Sequence, residues 1–253
     1  MRRCRLSRLG ASVGLAAGLL AGCASGPTEP ARLEPPQRPW AEVVGPGTPD
    51  PIRVHDPIGT TNRRLYKFNA QFDRYILLPV VGIYEDILPS FVRDRVSSFF
   101  LHLGEINNFA NSVLQAAPAK AGTTLVRFVI NSTVGIAGLF DPAGELGLAR
   151  QSEDFGQTLG RWGVGDGPYV MLPLLGPSNA RDAIGRAVDA IALALAIPAG
   201  VRAEPAYYGA QYGLRPIDAR SRVPFSYHDT GSPFEYELLR YLYTEARRAP
   251  IAR

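Results

Sequence analysis

From residue 55 onward, large apolar residues recur every third or fourth position and almost nowhere every second, a pattern that suits helices and leaves little for a sheet. The spacing predicts a helix over Asn62–Ile76, carrying Leu65, Tyr66, Phe68, Asn69, Phe72 and Tyr75 and stopping before Pro79. A second helix is expected from about Pro89 to Ala117, with one apolar stripe through Val96, Phe99, Phe100, Leu103, Ile106, Ala110, Val113 and Leu114. A third, from about Ala119 to Gly138, is apolar over most of its circumference, and Gly138 is its expected stop. Residues 141–177 are rich in Gly and Pro and read as an ordered, irregular loop region with short helical turns. Ser178 is the expected N-cap of a helix reaching Ile197, which Pro198 ends. Pro205, Pro216 and Pro224 leave room in 203–230 for at most one short, broken helix. Ser232-Pro233-Phe234-Glu235 reads as a capping box that opens a last helix over 233–248. The expected class is all-α.

The first 54 residues follow other rules. Arg2, Arg3, Arg5 and Arg8 precede an apolar run, Leu9 to Ala21, that is too short to span a bilayer and has the flanks of a secretory signal peptide. Leu20-Ala21-Gly22-Cys23 resembles a bacterial lipobox, which makes residues 1–22 a signal peptide and Cys23 the lipidated first residue of the mature chain. The plainer alternative is an ordinary signal peptide with a chance cysteine. Two or more acyl chains hold a protein stably at a membrane, where one does so only marginally. No aspartate follows Cys23, which by similarity to lipoprotein sorting favours the outer membrane. Residues 24–54 then carry eight of the 22 prolines and read as an extended tether with a reach on the order of 90 Å. Residues 55–253 form the expected single helical domain.

Charge and cysteine content exclude several function classes. The formal charge of +4 belongs to the four leader arginines, since without them 23 Lys+Arg face 23 Asp+Glu. A neutral body offers little long-range attraction to a phosphate backbone, so nucleic acid is not an expected partner. Cys4 leaves with the leader, and Cys23 is committed to lipid, so no thiol remains for a disulfide, a metal or a nucleophile. His102 and Glu105 share a helical face but lack further ligands; His102 is expected to be partly exposed, and no metal or cofactor is expected. Gly163-x-Gly165-x-Gly167 lacks the strand-to-helix frame of a phosphate loop. Gly176-Pro177-Ser178-Asn179-Ala180 comes within one residue of a hydrolase nucleophile elbow, with Asp218 and His228 following in order. The strands such an enzyme needs are missing, so a lipid hydrolase using Ser178 stands as a remote alternative to a non-enzymatic protein. The apolar helices leave two readings open: a soluble protein hides such faces in its core, whereas a protein lying in one leaflet shows part of them to lipid.

Particular motifs narrow the choice. Asp56-Pro57-Ile58, Asn62-Arg63-Arg64-Leu65-Tyr66-Lys67-Phe68-Asn69, the run Phe128 to Ala143 and above all the run Asp154 to Ser178 closed by Arg181-Asp182 resemble the MlaA (VacJ) family of outer-membrane lipoproteins. Ile217-Asp218-Ala219-Arg220 and the Tyr236, Arg240, Tyr243 pattern look like that family's C-terminal signatures. Thr61, where the family usually has an aromatic residue, and the stretch 221–232 depart from it. The resemblance implies a ring-like helical domain seated in the inner leaflet of the outer membrane. Its amphipathic channel would take misplaced phospholipids from the outer leaflet and pass them to a periplasmic carrier, MlaC, while a trimeric porin grips it from the side. A structural, porin-scaffolding lipoprotein is the alternative. On this reading Asn62, Arg63, Phe68, Asn131, Phe155, Gly156, Gly160, Gly163, Gly165, Gly167 and Tyr169 are the candidate lipid-path or membrane-contact residues. For the glycines, tight turns between helices serve equally well, and Arg63-Arg64 reads either as lipid-phosphate ligands or as a solvated helix start.

Overall fold

The computed structural model describes residues 38–39, 42–43 and 52–251; the leader, Cys23 and most of the tether lie outside the described residues. The described chain is helical apart from one short hairpin. Helix α1 (Gly59–Phe72) continues through a π-helical segment (Asp73–Leu77) into α2 (Leu78–Ile87). Pro79 therefore does not end the first helix, contrary to expectation. The ladder widens one turn earlier, where the Leu78 N–H reaches back to the Asp73 carbonyl, and Pro79 falls in the first turn of α2, where a missing donor costs little.

Pro89 precedes α3 (Ser90–Leu114) and Ala117 precedes α4 (Pro118–Thr133), at the expected starts, but α4 ends short of its expected stop at Gly138, because Ile136 and Ala137 already turn the chain at positive φ. A single turn, α5 (Pro142–Glu145), is capped by Asp141, and α6 (Phe155–Arg161) by Asp154. Two strands, β1 (Tyr169–Leu172) and β2 (Gly176–Asn179), pair antiparallel with Val170 opposite Ser178. They correct the strand-free reading of this Gly/Pro-rich stretch: Pro173 ends β1 rather than breaking it, and Leu174 turns the chain at φ +63°. Helix α7 (Ala180–Ala196) follows at once, so its cap is Asn179, not Ser178, which the hairpin has claimed.

Residues 205–221 are more helical than their prolines suggest. Helix α8 (Ala199–Ala203) precedes α9 (Pro205–Tyr208), a second π-helical segment (Gly209–Leu214) and α10 (Arg215–Ser221), with Pro205 and Pro216 each in a first turn. The last helix, α11 (Glu235–Arg248), starts without a capping box. Glu235 accepts instead from Tyr66, the His228 N–H and Thr230, and Ser232 accepts from the Phe234 N–H.

Which faces these helices bury is the unexpected feature. On α3 the buried side chains are Ser97, Phe100, His102, Glu105, Asn108, Asn111 and Ser112, while Val113 and Leu114 of the apolar stripe are exposed. On α4, Thr124, Arg127 and Asn131 are buried and Leu125, Val126 and Val129 are exposed. On α7, Arg181 and Asp182 are inside, and Ile184, Ile191 and Leu195 face out, the last 71% exposed. One small apolar cluster, Tyr66, Tyr169, Met171 and Tyr236, ties α1, β1 and α11 together. Polar groups also join the elements: beside that cluster Asn62 clamps α1 to β1 through the Tyr169 carbonyl and the Met171 N–H. Among the described residues no single helix is long and apolar enough to cross a membrane; α1 to α3 would pass only as a pair bent by 119°.

Candidate functional site

Three elements meet around a polar cavity of about 370 Å³: the face of α3 bearing Ser98, His102 and Glu105, the Arg127–Asn131 face of α4, and the loop 141–150. Arg127 organises it. Its guanidinium donates to both carboxylate oxygens of Asp141 at 3.1 Å, to the Leu148 carbonyl and, through Nε, to Glu105 at 3.4 Å. Arg150 reaches the same Glu105 oxygen at 3.3 Å and the Leu101 carbonyl at 3.4 Å. Asn131 donates to Asp141 and accepts from the Ala143 N–H, which sets α5 beside α4.

Burial works to raise the Asp141 carboxyl, but hydrogen bonds from Asn131 and Arg127 outweigh it and hold the group below the usual carboxylate range. Burial pushes the His102 imidazole below its ordinary value, against the opposing pull of Glu105. That ring was expected to be partly exposed. It is buried because Phe128 stacks on it at 4.7 Å and Ser132 lies 3.1 Å from Nε2. Gly138, at φ +85°, closes the turn over it; a Cβ there would fall 2.4 Å from the ring. Two arginines and two carboxylates leave the cavity walls charged but balanced.

The opposite flank of α3 lines an apolar groove of about 580 Å³ between Phe99, Phe100, Leu103 and Ile106 on one side and Ile197, Val201 and Tyr207 on the other. One helix thus divides a charged space from an oily one. Such a pair of surfaces suits an amphiphile, because an unpaired charge costs several kcal/mol in hydrocarbon.

The candidate residues from the sequence disperse over several places. Asn131 lines the polar cavity. Asn62, Arg63 and Tyr169 gather instead at the aromatic cluster, where Arg63 pairs with Glu237 and lies 4.4 Å over the Tyr236 ring, and Asn62 donates to Asp56. Arg63 is thus tied within the fold and not part of a solvated helix start. Phe68 is exposed and stacks on Phe72. Phe155 donates its N–H to Asp189, and its ring meets the edge of Trp162. Gly156 lies against Gly185 where α6 crosses α7, and Gly160 lies against Arg181 and Ile251. Gly163, Gly165 and Gly167 occupy the exposed turn before β1. The hydrolase residues are engaged apart from one another: Ser178 donates to the Asn179 carbonyl inside the hairpin, Asp218 accepts from Ser97, Tyr84 and Arg222, and His228 packs edge-on to Tyr66. No group of three or more His, Cys, Asp or Glu is arranged to hold a metal among the described residues.

Glu105, Arg127, Asp141 and Arg150 were not anticipated as site residues. One signal was present for Arg127, a lone cation inside the run Leu125 to Ile130, where an ionised side chain survives burial only with partners.

The family model described as MlaA lipoprotein matches residues 54–250. An uncharacterised protein of Rickettsia felis is 40% identical over 131 residues, 52% of each chain. The intermembrane phospholipid transport system lipoprotein MlaA of Escherichia coli K12 is 37% identical over 138 residues, 53% of this chain and 55% of its own. The protein of that name from Haemophilus influenzae is 31% identical over 172 residues, 66% and 67% of the two chains. The chain spans about half the length of the first curated relatives it matches. A solved chain, from work on the structural basis for maintenance of bacterial outer-membrane lipid asymmetry, superposes with a TM-score of 0.66 at 31% identity and covers 79% of this chain and 100% of its own.

Proposed function

The chain belongs to the MlaA lipoprotein family, and from that premise we propose that it carries phospholipid out of the outer membrane's outer leaflet and passes it to a periplasmic carrier. One observation supports this above the others: among the described residues most of the buried side chains are polar and many large apolar ones face outward, while α3 has a charged cavity on one flank and an apolar groove on the other. An exterior of this kind suits a hydrocarbon surround, and the two internal surfaces suit the two ends of a phospholipid. Lipidation at Cys23 would hold the protein at the inner leaflet, with a trimeric porin and a carrier of the MlaC kind as its protein partners. Transport of this sort makes and breaks no covalent bond. Among the candidate residues, Asn131 is the one this reading places on the lipid path, and Phe68 the one it places against the membrane.

Transfer between liposomes, measured with the carrier present, tests the proposal. Ser98, which lines the polar cavity from α3, can be enlarged without removing an inter-element bond, because its hydroxyl only caps the Asp94 carbonyl of its own helix. Ser98→Trp is expected to reduce transfer at least tenfold with the unfolding midpoint unchanged. Unaltered transfer would favour a scaffolding lipoprotein.

A further inference from the structure

Between the two lining faces of α3 runs a narrow strip, Ser97, Leu101 and Gly104, set by the helical repeat. Arg150 comes to this strip from the loop after α5, and the helix that carries Arg215 is pinned to it. Arg150 donates to the Leu101 carbonyl, and its guanidinium rests on Gly104, where a Cβ would lie 2.9 Å from Nη2. Helix α10 is pinned to the same strip by Asp218, which accepts from Ser97 at 2.7 Å. Arg215 stands one turn before Asp218, and Ala210 and Gln211, about one turn earlier still, line the apolar groove.

Arg215 is half-buried, and its guanidinium has no hydrogen bond or ion pair among the described residues. Burial pushes its guanidinium below the ordinary value, Tyr207 pulls the other way, and the positive charge of Arg150 adds to the downward push. Arg150 has Glu105 for a counter-charge; among the described residues Arg215 has none. A half-buried cation with another cation nearby is a costly arrangement unless an anion completes it.

We propose that Arg150 and Arg215 hold the phosphate of a phospholipid whose headgroup occupies the polar cavity and whose acyl chains lie along the apolar groove. The assignment rests on the lipid-conduit reading above and adds where the lipid is gripped. A phospholipid carries its negative charge where headgroup and tails join, and the strip on α3 lies between the residues that line the charged space and those that line the oily one. Guanidinium suits the diester because its planar fork meets two phosphate oxygens at once.

Full-length protein in mild detergent, titrated with dioleoylphosphatidylethanolamine and separately with dioleoylglycerol, tests this directly, since the second lipid has the same tails and no phosphate. Arg215→Gln is expected to weaken phospholipid binding about tenfold and leave dioleoylglycerol binding as it was. Arg215→Lys, which keeps the charge, should recover part of the loss, and Lys67→Gln on the exposed face of α1 should alter neither lipid. If Arg215→Gln fails to fold, Arg150→Gln and Arg215→Lys provide the same comparison. Equal affinity for the two lipids, or equal loss of both, overturns the phosphate assignment and leaves the conduit reading standing. Binding of neither lipid overturns both. Inorganic phosphate that binds in an Arg215-dependent way without displacing phospholipid would mark a free-phosphate site and overturn the lipid assignment.

Discussion

Arg127 shows how much of this fold depends on single charged side chains. It is buried, and three groups depend on it: Glu105, Asp141 and the Leu148 carbonyl. Arg127→Met keeps most of the volume but leaves Asp141 without its cation and Glu105 with Arg150 alone, and a destabilisation of about 3–5 kcal/mol is expected from denaturant unfolding in detergent. Asp154 behaves similarly. Burial works to raise its carboxyl, yet two hydrogen bonds from Arg247 outweigh this and bring it down to about 2. A carboxyl lowered in the folded state contributes stability that is complete above the unfolded value near 4 and drains away as pH falls toward 2. The unfolding midpoint should therefore drop across that window, and Asp154→Asn should be less stable near neutrality with a shallower drop. Gly185 carries a steric constraint of the same sharpness. A Cβ on it would lie 2.3 Å from the Gly156 backbone nitrogen, whereas a Cβ on Gly156 would meet the Asp182 carboxylate at 2.6 Å. Backbone cannot give way as a side chain can, so Gly185→Ala should cost more stability than Gly156→Ala, about 1–3 kcal/mol against less.

At the scale of elements, helix positions were legible and helix orientation was not. Period 3.6 assigns residues to a face, and Pro89, Pro118 and Pro198 sit where chain direction must change, so α3 and α7 fall close to their expected ranges and α4 starts where expected. Period says nothing about which face is wet. The stripe through Val113 and Leu114 on α3 and the one through Val126 and Val129 on α4 look like core stripes, yet the polar faces holding Asn108, Asn111, Thr124 and Arg127 are the ones inside. The reversal becomes legible only on asking where an isolated Arg127 or Asn131 in an apolar helix could find partners. The hairpin stayed hidden for a different reason: strands of four residues in a Gly/Pro-rich stretch are shorter than the window over which alternation can be recognised. Pro79 misled because a π turn can absorb a proline that an α-helical interior cannot. An outward apolar face makes its own prediction. Replacing Ile191 and Leu195 of α7 by lysine would improve an ordinary water-facing surface. On the proposed function the double variant should instead float less well with liposomes, at an unchanged unfolding midpoint in detergent.

For the molecule as a whole, the balance of forces is unlike that of a water-soluble domain. Its apolar cluster comprises four buried side chains, whereas interior charges recur throughout, among them Glu105, Arg127, Arg181, Asp182 and Glu237. Buried ion pairs roughly break even against their desolvation, so they specify the arrangement of the helices more than they stabilise it. Large apolar residues are mostly outside, where water gives them nothing and an acyl environment would lower their free energy by about 25 cal/mol for each Å² withdrawn from water. Stability should therefore depend on what surrounds the protein. In bilayer discs the unfolding midpoint should exceed that in a short-chain detergent by several degrees, and the loss on delipidation should be restored by adding phospholipid back. Salt separates this effect from the ion pairs, because screening acts on exposed charges and scarcely on buried ones. Raising ionic strength at constant lipid should leave the midpoint nearly unchanged, whereas raising lipid at constant salt should lift it. An unfolding midpoint indifferent to lipid would mean that the outward apolar faces are covered by protein, and a porin trimer would then be the partner to test on them.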